Sequence, residues 1–250
     1  WVMTGFPISP PYPLLISVSD DNNPLGTWYN WAMTSGLGDS ATGNTPDYPQ
    51  LGYDSLALYI TTRDFGANSF YSRIRILEKT QLYANTAGPI TWSDFWDIRE
   101  PQHTGIVVDG IRPSEIRGSP GVHFLIATSP YGTGTFFSVW TIHDPIGSPY
   151  ITGANTPVVQ FAGPSNAGEL GGGIALEAGG RAIRGRAIYR DSSLWAVHSI
   201  ASGTGNAYSA LHYVRLNPFT NTNIEDAAMG LDGFWHFYPA LMVNDSGDIM

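Results

Sequence analysis

Tyr48-Pro49-Gln50-Leu51 returns 190 residues later as Tyr238-Pro239-Ala240-Leu241, and a pattern of strands repeats between the two copies. Each copy of the pattern contains a second and a third strand that are short and rich in β-branched and aromatic residues. The second strands are predicted at residues 56–62, 122–128 and 193–199, and the third strands at 72–77, 136–142 and 210–216. One repeat is therefore about 63 residues long, in the range of propeller blades or slightly longer.

The repeat predicts an all-β fold, a β-propeller of four-stranded antiparallel blades with about four blades in this chain. The approximate blades are residues 1–35 (strands two to four), 47–95, 104–162, 181–230 and, as the start of a blade, 234–250. We expect one domain, because an all-β chain of this length need not be divided. Two interpretations of the ends stay open: the last strand closes the ring, or the chain is a fragment of a larger propeller that further segments of a longer chain complete. A two-sheet sandwich is the alternative architecture.

Segments without a strand pattern are few. Residues 91–96 and 223–229 are the only helix candidates, and both are too short to organise the fold. Residues 163–180 contain seven glycines and no aromatic residue. No phosphate-binding lysine motif follows these glycines, so we predict a flexible connector there.

The composition excludes several classes of function. A net charge of −9 argues against a nucleic-acid partner, because phosphate binding needs clustered Lys and Arg. No apolar stretch approaches the length of a membrane span. The chain has no cysteine, which excludes disulfides and thiolate metal sites. The single Lys together with many Trp, Tyr, Asn and Thr favours a secreted or cell-surface protein of bacterial origin.

Catalytic and metal motifs are weak. Neither the Gly-x-Ser-x-Gly elbow nor the His-Glu-x-x-His zinc motif is present, and the six histidines are scattered. Calcium is the better metal candidate, since a hard cation selects turns that are rich in oxygen ligands. The candidate ligands are Asp20, Asp21, Asn23, Asp245 and Asp248. Asx-turns that bond their own backbone are the alternative explanation of the same clusters, and the more common one. We therefore expect either no cofactor or structural calcium.

Segments before first strands and after second strands should meet at one end of a propeller channel. This rule predicts a shared binding mouth formed by Asp47, Tyr48, Arg63, Asp64, His103, Arg117, Arg181, His198, His236 and Tyr238. An arginine-rich mouth favours a sugar that carries a carboxylate, because Arg binds carboxylates in a bidentate manner. The alternative is that Asp and Arg pair with each other within the fold. Trp92 and Trp96, in a polar segment, are candidates for an aromatic platform on which a sugar stacks.

Two stretches, residues 47–62 and 187–198, resemble blades of uncharacterised bacterial secreted β-propeller proteins, which are loosely similar to sialidase-like repeats. Ser19-Asp20-Asp21 with Gly26-Thr27-Trp28 partly matches the turn box of sialidases. No motif marks the three arginines or the Tyr–Glu pair of those enzymes. The resemblance implies an extracellular propeller that acts as a binding or scaffold domain for a polymer, a glycan or a protein partner. A glycan-acting, sialidase-like glycoside hydrolase is the alternative that it implies.

Overall fold

A computed structural model describes residues 1–36, 44–66, 70–84 and 88–250. In this part of the chain the fold is nearly all β, with fifteen strands, one α-helix of four residues and one 3₁₀ turn. The first three strands form a small antiparallel sheet of their own. They are β1 (Val2–Gly5), β2 (Leu14–Ser19) and β3 (Trp28–Met33).

The remaining strands form three antiparallel meanders of four strands each. The first contains β4 (Thr45–Tyr53), β5 (Ala57–Phe65), β6 (Phe70–Glu78) and β7 (Ser93–Trp96), with helix α1 (Lys79–Leu82) after β6. The second contains β8 (Arg112–Ile116), β9 (Val122–Thr128), β10 (Thr133–His143) and β11 (Tyr150–Ala162). The third contains β12 (Ala187–Arg190), β13 (Ser193–Ser202), β14 (Tyr208–Asn217) and β15 (Thr222–Met229).

The prediction of a β-propeller is wrong. The first strands of the three meanders pair in parallel: β8 lies between β12 and β4, with Glu115 opposite both Ile188 and Tyr53. Over the described residues this pairing joins twelve strands into one mixed sheet that does not close. Separate blades require first strands that do not hydrogen-bond to one another, and β8 hydrogen-bonds to both of its neighbours.

Apolar side chains fill the spaces between consecutive parts of the fold. Leu14 and Ile16 of the small sheet pack with Leu58 and Ile60 of the first meander. Further cores lie between the first and second meanders, around Tyr59 and Trp140, and between the second and third, around Phe137 and Val214. Strands β5, β9 and β13 are buried along nearly their whole length.

Both predicted helices are strands in the structure. Residues 93–96 form β7 against β6, and residues 222–229 form β15 against β14. Each is the fourth and outermost strand of its meander, so its sequence is polar and lacks the apolar alternation of the inner strands. The glycine-rich segment 163–180 is irregular apart from the bridge between Ala167 and Leu176.

Candidate anion-binding site

The two Tyr-Pro copies share an unusual backbone conformation. Tyr48 has a φ of 54° and Tyr238 a φ of 52°, in the left-handed region that non-glycine residues rarely occupy. Tyr48 lies in β4 at an irregularity between Asp47 and Gln50, where the pairing with β5 shifts register. Irregular strand positions of this kind redirect a side chain, and strained backbone clusters at functional sites.

The Tyr48 ring lies beside two arginines. The guanidinium carbon of Arg112 lies 5.0 Å from the ring centroid, and that of Arg184 lies 5.3 Å from it. Both distances are within the range of a cation–π contact. Arg63, at the end of β5, forms a 2.5 Å ion pair with Asp109 just before β8. We call the four arginines at this place, Arg63, Arg112, Arg181 and Arg184, the arginine cluster.

Arg112 is the most buried member of the cluster, with 2% of its surface exposed. This burial lowers the pKa of its guanidinium to about 10, and the nearby charges of Arg184 and Arg63 act in the same direction. Its Nε donates a 2.5 Å hydrogen bond to the Ile183 carbonyl, whereas Nη2 is buried and has no partner in the described part of the chain. A buried N–H group without an acceptor is costly, so the position is suited to an added anion.

A cavity of about 340 Å³ lies at the edge of the cluster. It is lined by Asp109, Ser129, Pro130, Gly180, Arg181 and Arg184, among others. The Arg181 side chain donates to the backbone carbonyls of Ser129 and Pro130, at 2.9 and 2.5 Å, which fixes it along the wall. Arg184 is fixed similarly, through a 2.8 Å hydrogen bond from Nε to the Gly179 carbonyl.

Glu177 and Tyr238 complete this end of the fold. The Tyr238 hydroxyl donates to Oε2 of Glu177, and Oε1 of Glu177 accepts the Gly179 N–H at 2.8 Å. The hydrogen bond to Glu177 raises the pKa of Tyr238, and the charge of Arg184 acts in the opposite direction. Tyr238 remains 48% exposed.

The local charge differs in sign from that of the whole chain. Four arginines gather here near three carboxylates, those of Asp109, Glu177 and Asp47, the last of which pairs in register with Arg63. The chain as a whole carries −9. A local excess of positive charge on an acidic protein is an arrangement that attracts and holds small anions.

The structure brings several of the predicted mouth residues together: Asp47, Tyr48, Arg63, Arg181 and Tyr238 lie in or beside the cluster. His198 lies directly behind it, with Nδ1 2.7 Å from the Arg181 carbonyl oxygen. The other four members have structural partners elsewhere. Asp64 pairs with the fully buried Arg73, and His103 lies 2.5 Å from Glu100.

Arg117 lies past the far end of β8, where it pairs with Glu115. His236 is tied by its backbone N–H to the Ser209 carbonyl, 3.1 Å away.

The aromatic platform candidates do not form one surface. The Trp92 ring is covered by the Arg75 guanidinium, 4.4 Å from its centroid. Trp96 is 42% exposed and lies at a tilt against Tyr71. Neither residue contacts the arginine cluster, so sugar stacking on them stays a prediction.

Four of the five calcium candidates have other partners, whereas Oδ1 of the fifth, Asp20, is buried without a hydrogen bond in the described part of the chain. Asp21 and Asn23 accept backbone N–H groups two residues ahead, as Asx-turns do. Asp245 pairs with Arg190, and Asp248 accepts a hydrogen bond from Asn244. Within the described residues no group of three or more His, Cys, Asp or Glu side chains is placed to hold a metal ion.

Sequence reasoning missed Asp109, Arg112, Glu177 and Arg184. Arg112 opens a five-residue strand that contains Pro113 and Glu115 and carries no apolar alternation. Glu177 lies inside the segment that was predicted to be only a connector. The one available signal for these residues was that Arg184 follows the predicted mouth residue Arg181 by three positions.

No family model, curated protein or solved structure matches this sequence. None of the described helical segments has the length and apolarity that would let it span a bilayer.

Proposed function

We propose that this protein is an extracellular binding domain that holds a carboxylate-bearing glycan at the arginine cluster. The observation that carries the proposal is the buried Nη2 of Arg112, which lacks an acceptor beside Arg63 and Arg184. A carboxylate supplies two acceptor oxygens to such a group, and guanidinium–carboxylate hydrogen bonds are among the strongest in proteins. The cavity of about 340 Å³ beside Arg181 and Arg184 has room for the sugar ring to which the carboxylate is attached.

Binding can be tested with pairs of sugars of which only one member carries a free carboxylate. Isothermal titration calorimetry would compare 3′-sialyllactose with lactose, and trigalacturonate with its methyl ester. We expect binding of at least one charged sugar and none of its neutral counterpart. Equal affinity for both members of each pair, or binding of neither, would overturn the proposal.

A matched pair of variants locates the site. Arg184→Gln removes a member of the cluster, and we expect about tenfold weaker binding, the equivalent of one charge-assisted hydrogen bond. Arg186→Gln, two residues away, removes an exposed arginine that pairs with Glu115 at the far end of β8. We expect this control to bind as the unchanged protein does.

The Tyr238–Glu177 pair favours a second function, sialidase-like glycoside hydrolysis. Sialidases use a tyrosine nucleophile. In such a reaction the Tyr238 oxygen bonds to the anomeric carbon as the glycosidic C–O bond breaks, and the Tyr238 proton passes through Glu177 to the leaving alcohol. Water then attacks the same carbon as the bond to the Tyr238 oxygen breaks, and the proton that water loses passes through Glu177 back to Tyr238.

Release of 4-methylumbelliferone from its sialoside and its glucuronide tests this function. We expect Tyr238→Phe to abolish turnover while it leaves binding within about twofold, since its hydroxyl is one neutral hydrogen-bonding group. Absence of turnover by the unchanged protein, or equal turnover by the variant, would remove hydrolysis and leave binding as the function.

A further inference from the structure

A buried chain of three hydrogen bonds runs behind the arginine cluster. His198 Nδ1 lies 2.7 Å from the Arg181 carbonyl oxygen, and His198 Nε2 lies 2.8 Å from His212 Nδ1. His212 Nε2 lies 2.5 Å from Oδ1 of Asp226. Both histidines are at most 2% exposed, and the rings of Phe137 and Phe161 pack against them. We call His198, His212 and Asp226 the relay.

The Arg181 carbonyl and the Asp226 carboxylate, at the two ends of the relay, determine which histidine nitrogens carry protons. A carbonyl oxygen can only accept, so His198 must donate from Nδ1 and therefore accepts at Nε2. Burial lowers the pKa of His198 to about 3, and the adjacent His212 acts in the same direction, which agrees with a neutral ring. His212 must then donate from Nδ1, and one further proton is shared between its Nε2 and Asp226.

Contacts to the second oxygen of Asp226 place that proton on His212. Oδ2 of Asp226 accepts the Val159 N–H at 2.6 Å and the Asn223 side-chain amide at 3.1 Å. Both donors favour the ionised carboxylate. The relay therefore contains an imidazolium–carboxylate pair of His212 with Asp226 from β15, and the other charged group near His198 is Arg181 from the segment before β12.

We infer that the relay positions Arg181 for anion binding, through the hydrogen bond that His198 Nδ1 donates to the Arg181 carbonyl. If His212 carried only one proton, the two histidines together would have two N–H groups for the three contacts of the relay. In one of these contacts two lone pairs would then face each other. The contact can be relieved if His198 changes tautomer, which breaks its bond to the Arg181 carbonyl. His198 is thus a positioning residue, and this inference rests on the proposed anion site.

The protonation pattern can be measured without any ligand. A long-range ¹H–¹⁵N correlation spectrum of histidine-labelled protein distinguishes tautomers and charge states. At neutral pH we expect the Nδ1–H tautomer for His198 and a doubly protonated His212. An Nε2–H tautomer of His198, or a neutral His212, would overturn the inference whatever the protein binds.

Asp226→Asn tests the coupling to the site, with the exposed Asp232→Asn as the control for charge. We expect neutral His212 in Asp226→Asn at neutral pH and about fivefold weaker binding of 3′-sialyllactose, the equivalent of one ordinary hydrogen bond. Asp232→Asn should bind 3′-sialyllactose as the unchanged protein does. Equal affinity in all three proteins would overturn the inference.

Failure of the proposed function is recognised separately. If the unchanged protein binds no charged sugar, the anion-site proposal fails. The relay is then judged by the ¹³C shift of the Arg181 carbonyl, which should differ between the unchanged protein and Asp226→Asn. The same carbonyl shift in both proteins contradicts the positioning role.

Discussion

Arg112 and Tyr48 form the contact around which the candidate site is built: the guanidinium carbon of Arg112 lies 5.0 Å from the centroid of the Tyr48 ring. Tyr48 comes from the irregular part of β4 and Arg112 from the first position of β8. Their contact therefore depends on the parallel pairing of these two strands. Arg184 lies at the same ring, so one side chain supports two cations.

Replacement of the Tyr48 ring should weaken the protein and its binding together. We expect Tyr48→Leu to lower the free energy of unfolding by about 1–2 kcal/mol, because two cation–π contacts are lost. Tyr48→Phe keeps the ring and should remain close to the unchanged protein. Urea denaturation followed by tryptophan fluorescence measures the free energy of unfolding of both variants. Equal stability of the Leu and Phe variants would show that the ring does not support the arginines.

The buried ion pair of Asp64 and Arg73 should be sensitive to the loss of one partner. Both side chains are fully buried, so Asp64→Asn leaves an uncompensated guanidinium. We expect a loss of about 3–5 kcal/mol in the free energy of unfolding. Asp245→Asn removes the partner of Arg190 at a fully exposed carboxylate and should change stability little. Comparable losses in both variants would contradict the distinction between buried and exposed pairs.

Asp54 should contribute to stability at acidic pH. Burial alone would raise the pKa of Asp54, but the His123 ring, the Tyr59 hydroxyl and the Ala57 N–H outweigh burial and lower it to about 2. A carboxyl with a depressed pKa in the folded state stabilises the fold above its unfolded pKa. That contribution is lost as pH falls from about 4 to about 2.

We expect Asp54→Asn to lack this part of the pH dependence, which corresponds to on the order of 1–2 kcal/mol. The measurement is the free energy of unfolding from pH 2 to pH 6, with the exposed Asp191→Asn as the control. Curves for Asp54→Asn and the unchanged protein that stay parallel through this range would refute the assignment.

Gly134 should tolerate no side chain. A Cβ at this position would lie 2.6 Å from Cε2 of Phe161, its partner in the pairing of β10 with β11. We expect Gly134→Ala to lower the melting temperature, with a loss of about 1–3 kcal/mol from overpacking. Gly132→Ala, two residues earlier, meets open space and serves as the control. Thermal melts that coincide for the two variants would contradict the predicted clash.

Features of the fold that are encoded by a local pattern could be predicted from the sequence, and features that depend on contacts between distant residues could not. The apolar pattern of residues 122–128 and 193–199 is local, and strands β9 and β13 lie there. Residues 91–96 and 223–229 were misjudged, because these outermost strands are stabilised by pairing with β6 and β14 and not by their own composition. The pairing of Glu115 with Ile188 joins residues far apart in the chain, and no local pattern encodes it.

The site divides in the same way. Tyr48 and Tyr238 were predicted as mouth residues because segments before first strands were expected to meet, and the structure places both near Arg184. Arg112 and Glu177 were missed because each lies in a segment without a pattern, and only the folded chain brings them near the two tyrosines. The two tyrosines belong to a sequence that occurs twice, whereas the charged residues Arg112 and Glu177 belong to no repeated sequence.

The length of strand β8 is constrained in natural variants of this protein. Its five residues carry Arg112 at one end and Glu115, the partner of Arg117 and Arg186, near the other. Successive side chains of a strand point to opposite faces, so an insertion or deletion of one residue would exchange the faces of everything beyond it. Natural variants should therefore differ in length in the surface connections and keep this strand at constant length.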